Sequence, residues 1–146
     1  MFERVYRHQL DAKNRMRIPA KFKEDFKVGE EYHYTFTLGT GGCIYVFPED
    51  EFDKIREDLK KVSPWDREKL KAQRDIIYTS SDVEEDAQGR VMLPQNLRTK
   101  RNIIKEIVIV KNIRWLEIWS AEAFDKYMDE IEFDDIAATL MEIEND

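Results

Sequence analysis

DAKNRMRIPAKF at residues 11–22 returns as DAQGRVMLPQNL at residues 86–97. Four positions are identical: Asp11/Asp86, Ala12/Ala87, Arg15/Arg90 and Pro19/Pro94. Others keep their type, as in Asn14/Gly89, Met16/Val91, Ile18/Leu93 and Phe22/Leu97. The offset is 75 residues. Farther on, CIYVFPEDEFDKI (43–55) lies opposite WLEIWSAEAFDKY (115–127) at an offset of 72, so a three-residue indel falls between. Self-similarity at a fixed offset means one supersecondary unit used twice.

Each copy reads as strand, tight turn, strand, hairpin, helix. Asn14 and Gly89 share a turn slot, and these two residue types tolerate positive φ best. After the turn, Arg15-Met16-Arg17-Ile18 alternates, which sends Met16 and Ile18 to the core and both arginines to the open face. Val91 and Leu93 repeat the inward pattern. Pro19 and Pro94 lack the N–H of a central ladder and end these strands. Further strands are expected at 33–38, 43–47, 107–111 and 115–119, with Gly39-Thr40-Gly41-Gly42 and Asn112-Ile113 as the hairpin loops. Helices are expected at 49–61, from Phe52, Ile55, Leu59 and Val62, and at 66–78, 121–131 and 134–144. Ser63 reads as the cap of the second helix and Ser120 as the cap of the third.

Charge is distributed unevenly. The 24 basic and 31 acidic residues sum to −7, which alone disfavours a nucleic-acid partner. Residues 1–28, however, carry eight basic and four acidic side chains. Residues 29–53 carry six acidic and no basic ones, and 54–75 eight basic and five acidic. Residues 117–146 hold eleven acidic and one basic. Local fields decide what a surface attracts, so the acidic tail does not exclude a basic face elsewhere. With 42% hydrophobic and 12% aromatic residues the chain can bury a core. No apolar run reaches the roughly 18–20 residues of a membrane span, and the first residues lack the apolar region of a signal peptide. Cys43, the single cysteine, excludes an intrachain disulfide and a Cys-rich zinc site, and the expected compartment is the cytoplasm.

The opening MFERVYRHQLDAKNRMRIPAKF, the second DAQGRVMLPQNLR and the length together resemble the MraZ family, regulators built from two SpoVT-AbrB-type repeats. The resemblance implies an α+β, mainly β fold. In it, two swapped-hairpin units combine as a pseudo-dimer into a double-split β-barrel-like core with peripheral helices. Repeat 1 then spans 5–50, a helical connection 51–80, repeat 2 81–124 and an acidic helical tail 125–146. The resemblance also implies ring homo-oligomers, octamers or dodecamers. These would bind short direct repeats of double-stranded DNA upstream of their own gene, at the head of a division and cell-wall cluster, which places the protein at the nucleoid. DNA contact would fall to the Asp11–Arg15 and Asp86–Arg90 motifs. Three departures stand out: Asn14 for the commoner Gly, Arg4 for a small residue, which adds positive charge near the first motif, and Gln88 where the first copy has Lys13, which makes the second motif less basic.

The residue chemistry agrees with a binding role. Arg is the best side chain for guanine edges and phosphates. Lys13, Arg17 and Lys21 suit phosphates, since a mobile ammonium discriminates bases poorly. Each Asp–Arg pair also has a structural reading, an ion pair across a turn, and the two readings are compatible because Asp11 could orient Arg15. The 67/71/74 basic stripe reads as a solvated helix face. Gly39–Gly42 lacks the Gly-Lys-Ser/Thr ending of a phosphate loop. Cys43 reads as a small buried residue, and His8 and His33 as strand residues without metal spacing. Trp115 and Trp119 share a strand face and read as packing. No nucleophile, base and orienter converge, so neither an enzyme nor a cofactor or metal is expected. The alternative to a DNA-binding regulator is a ring-forming scaffold without DNA function.

Overall fold

A computed structural model describes residues 4–146; Met1 and Phe2 of the opening motif lie outside the described residues. Up to residue 80 the chain forms β1 (Val5–Gln9), β2 (Arg15–Met16), β3 (Lys27–Val28), β4 (Glu31–Leu38), β5 (Ile44–Phe47), α1 (Glu49–Leu59) and α2 (Arg67–Thr79). After it come β6 (Ser81–Glu84), β7 (Val91–Met92), α3 (Gln95–Lys100), β8 (Glu106–Lys111), β9 (Leu116–Ser120), α4 (Ala121–Asp129) and α5 (Phe133–Glu144).

The pairing crosses between the copies. β1 runs antiparallel to β8, Val5 opposite Val110 and Gln9 opposite Glu106. In return β6 runs antiparallel to β4, with His33 opposite Glu84 and Phe36 opposite Ser81. The short strands after the two turns pair with each other, Arg15 opposite Met92 and Met16 opposite Val91. The hairpins β4–β5 and β8–β9 join side by side through β5 and β9. The result is an α+β molecule with a seven-stranded antiparallel sheet and a separate two-stranded ribbon. Among the described residues these strands form no closed barrel.

Strand alternation explains the two cores. Ile107 and Ile109 of β8, Leu116 and Ile118 of β9, Ile44 and Val46 of β5, and Tyr34 and Phe36 of β4 face one side. Met16, Ile18, Phe22 and Phe26 from the first copy meet Val91, Leu93 and Leu97 from the second on that side. The inward pattern read from the two turns is therefore observed. On the opposite face Val108 and Trp119 pack with Cys43 under Phe124 of α4. Trp119 is buried in this cluster and Trp115 packs on the Tyr45 and Phe47 rings, as expected, and both donate their indole N–H to Glu117, at 3.2 and 3.1 Å.

Three local details differ from the sequence reading. The cap of α2 is Asp66, which accepts from Lys69 N–H at 3.1 Å, and not Ser63, whose hydroxyl accepts from Trp65 N–H inside the preceding turn. α3 follows Pro94 directly; one turn and a half is too short to show helical periodicity, and only Leu97 in it is buried. Arg4 hydrogen-bonds the Lys111 carbonyl at 3.0 Å, at the opposite end of β1 from Asp11, so it does not add charge beside the first motif. Ser120 does cap α4, accepting from Ala123 N–H at 3.1 Å. No helix among the described residues is long and apolar enough to cross a membrane.

Leu93 and Met92 are chain neighbours with opposite fates, one fully buried and the other half exposed. Leu93→Ala should cost about 2–5 kcal/mol through the cavity it leaves. Met92→Ala should stay within about 0.5 kcal/mol of wild type. Urea denaturation of the two variants measures the difference.

Candidate nucleic-acid interface

Both Asp–Arg motifs build the same loop. Asp11 Oδ1 accepts the backbone N–H groups of Lys13 and Arg15, each at 2.9 Å. Its main chain closes the turn: Asp11 N–H donates to the Arg15 carbonyl and Asn14 N–H to the Asp11 carbonyl. Asp86 accepts from Gln88 and Arg90 at the same 2.9 Å, with the matching main-chain bonds. The turn slot demands positive φ, +61° at Asn14 and +78° at Gly89, as the sequence predicted. A short side chain that can accept two N–H groups is what such a turn requires, which explains an aspartate at its head.

The second carboxylate oxygen aims the arginine. Arg15 Nε donates to Asp11 Oδ2 at 2.9 Å, and Arg90 Nε to Asp86 Oδ2 at 3.0 Å. A guanidinium has five N–H groups, so four on each arginine remain for other partners. The β2–β7 pairing then brings the two loops together: Arg15 Nη1 lies 3.8 Å from Asp86 Oδ2 of the other copy. Arg17 reaches across as well and donates through Nη1 to the Gln88 carbonyl. The two copies thus present Arg15, Arg17 and Arg90 on one ribbon, with Lys13 exposed at its loop. Lys21 lies beyond Pro19 on a short helical turn, its ammonium 5.5 Å from the Phe22 ring centre.

Asp11 and Asp86 are both held below the usual carboxylate range, chiefly by the backbone N–H of Arg15 and Arg90 respectively, against partial desolvation. The same donors that shape the turn therefore favour the charged aspartate.

Sequence reasoning missed the group that docks the second loop. Glu85, next to Asp86, accepts from the Tyr34 hydroxyl at 2.8 Å and pairs with Lys23 at 2.8 Å. Lys23 in turn lies 4.1 Å over the Tyr32 ring. Burial, and then the bond to Glu85, push the Tyr34 hydroxyl well above the usual tyrosine range. The signal was present in the repeat: Glu85 aligns with Leu10, a buried core residue. A charge where the first copy has a core leucine needs a partner, and the first copy supplies one.

Other candidates fall away from this surface. Cys43 is fully buried, donates to the Thr40 carbonyl at 3.3 Å, and has its thiol pushed up to about 12 by burial. Gly39–Gly42 is a hairpin loop, held from beneath by Arg101, which donates to the Gly39 and Cys43 carbonyls at 2.6 and 2.9 Å. Arg67, Lys71 and Arg74 are exposed on α2, and Lys71 pairs with Asp75 at 2.6 Å.

The family model described as "MraZ protein, putative antitoxin-like" matches residues 1–75 and again residues 76–143. The chain belongs to the MraZ family. The double match divides the chain between the two copies found in the sequence. Three MraZ relatives cover nearly the whole chain, each named a transcriptional regulator. The protein of Lactobacillus gasseri is 40% identical over 146 residues, 99% of both chains. That of Lachnoclostridium phytofermentans is 38% identical over 135 residues, 90% of this chain and 92% of its own. That of Clostridium tetani is 35% identical over 144 residues, 98% of this chain and 99% of its own.

The lowered aspartates make acid stability a test of the MraZ loop geometry. A depressed folded value means that the stabilisation is complete above the unfolded aspartate value of about 3.9 and is lost as pH falls through the lowered ones. Urea midpoints measured from neutral pH into the acid range should fall more steeply for wild type than for Asp11→Asn/Asp86→Asn, which should already be weaker at neutral pH.

Proposed function

We propose that this chain is a DNA-binding transcriptional regulator. Arg15 and Arg90 read or grip double-stranded DNA, aimed by Asp11 and Asp86, while Lys13, Arg17 and Lys21 neutralise phosphates. The observation that carries this is the convergence of both loops on the β2–β7 ribbon, with Arg15 Nη1 3.8 Å from Asp86 of the other copy. Each guanidinium is oriented through Nε and keeps its outer N–H groups, an arrangement suited to phosphate and guanine acceptors. The names of the relatives support a role in transcription. The activity is binding and not catalysis, and no cofactor or metal takes part in it.

The finer reading follows the family. The exchanged strands make the chain a pseudo-dimer of swapped hairpins around a split-barrel-like core. Its parts are repeat 1 at 5–50, a helical connection at 51–80, repeat 2 at 81–124 and the acidic tail at 125–146. Copies assemble into a ring, an octamer or dodecamer, on direct repeats upstream of the protein's own gene in a division and cell-wall cluster, at the nucleoid in the cytoplasm. Two features support self-assembly. α5 leaves Phe133, Ile136, Leu140 and Ile143 exposed, more apolar surface on one helix than a free monomer usually carries. The tail is strongly acidic while residues 54–75 are net basic, so head-to-tail contact between copies is electrostatically matched. A ring multiplies a weak single site by effective concentration.

A second reading, a ring-forming scaffold without DNA function, draws on one observation: both arginines already hold a carboxylate partner. Anisotropy of labelled upstream DNA separates the two. Arg15→Ala and Arg90→Ala should each lose about 1–3 kcal/mol of binding, roughly 5- to 150-fold. Lys13→Ala should weaken all sequences alike and flatten the log Kd against log salt slope by about 0.9. Equal binding by folded wild type and the double arginine variant would leave the scaffold reading. Light scattering after size exclusion tests assembly: Ile136→Asp/Leu140→Asp should shift the wild-type oligomer to smaller species with an unchanged circular dichroism spectrum.

A further inference from the structure

At the junction where β6 crosses onto β4, three potential metal ligands meet. Glu31 and His33 are two apart on β4 and so share a face. Glu84 is the residue of β6 directly opposite His33. One ligand atom from each of Glu31, His33 and Glu84 lies within 4.8 Å of the others. The imidazole is flanked on both nitrogens: Nε2 lies 3.6 Å from Glu31 and Nδ1 lies 3.9 Å from Glu49, the first residue of α1. We propose that His33, Glu31 and Glu84 bind one divalent transition-metal ion of the zinc class, with Glu49 holding the imidazole.

The chemistry decides the class of ion. Three carboxylates around one imidazole repel one another and leave negative charge for a cation to neutralise. The adjoining cleft adds Glu30 to the local field, its Glu85 and Asp86 being paired with Lys23 and with Arg15 and Arg90. Two of the basic groups nearby are already engaged, Lys23 with Glu85 and Arg56 with Asp53 and Asp82. Magnesium and calcium favour all-oxygen shells, whereas an imidazole nitrogen with carboxylates suits zinc, nickel or cobalt. Ligands about 2.1 Å from a tetrahedral ion stand roughly 3.4 Å apart, so the cluster closes with about an ångström of side-chain rotation. Glu31, largely exposed, is free to make that rotation. Metal-bound histidines hand their other ring N–H to a carboxylate, and Glu49 is placed to take it. The nearest ligands in sequence are two residues apart, but Glu84 is 51 residues beyond His33, so only the strand exchange assembles the set. A bound ion would fasten the exchanged strand β6 to β4.

Full-length protein stripped with EDTA and desalted would be titrated with Zn²⁺ by calorimetry and with Co²⁺ by absorption. The expected result is one equivalent per chain, with slowed amide exchange in β4 and β6. Cobalt should show ligand-field bands without a thiolate charge-transfer band, because Cys43 is buried. His33→Gln and Glu84→Gln should each weaken binding at least about tenfold, and Glu49→Gln by about 10- to 100-fold as a positioning residue. Absence of saturable binding would overturn the proposal. So would equal affinity in folded His33→Gln and Glu84→Gln, or displacement of zinc by millimolar Mg²⁺, which would mark a diffuse acidic surface.

Discussion

The exchange of first strands between the two copies is the constraint on which the rest of the structure depends. β1 finishes the ladder of the second hairpin and β6 that of the first. Backbone N–H and C=O groups that lack a ladder are costly when buried, and a lone hairpin is marginal in water. The first copy adds only the two-residue β3 to its hairpin and the second adds no strand of its own, so each relies on the other to extend its sheet. The same exchange draws the turns at residues 11–14 and 86–89 to one end of the molecule, and the β2–β7 pairing then locks them together.

The geometry around the arginines follows from that lock. Each aspartate does two things with its two oxygens: Oδ1 builds a turn from backbone N–H groups, and Oδ2 points the arginine. A side chain with one acceptor could do one of these but not both. The arginines are thereby pre-oriented, which lowers the ordering cost of engaging a partner. The loops are near-identical in hydrogen bonding yet unequal in surroundings. Arg17, whose counterpart is Met92, donates to the backbone carbonyl of Gln88, while Glu85 ties the second loop to Tyr34 and Lys23 of the first copy. The two copies are thus unequal at this end of the molecule, although their loops share one hydrogen-bond pattern.

Much of the local structure was legible because it rests on short-range rules. Positive φ at Asn14 and Gly89, the inward Met16, Ile18, Val91 and Leu93, the hairpin at Gly39–Gly42 and the Ser120 cap all depend on residues within a few positions. α3 was not legible, since six residues after a proline carry too little periodicity. The cap of α2 was displaced by three residues because Ser63 and Asp66 are both good caps, and only the path of the chain chooses between them.

By itself the sequence determined that there are two copies, where each turns, which faces of the strands are apolar, and that Asp11–Arg15 and Asp86–Arg90 are equivalent. Those properties are written in identity, spacing and alternation, which are local. Tertiary structure decided which strand pairs with which, and with that the meeting of Arg15 with Asp86, the docking of Glu85 and the cluster around His33. Pairing between copies is a choice among ladders that the hydrophobic pattern allows equally, since both hairpins present the same alternating face. The choice is made by which arrangement buries both apolar sets in one core, and that sum over the whole chain is not carried by any single stretch of it.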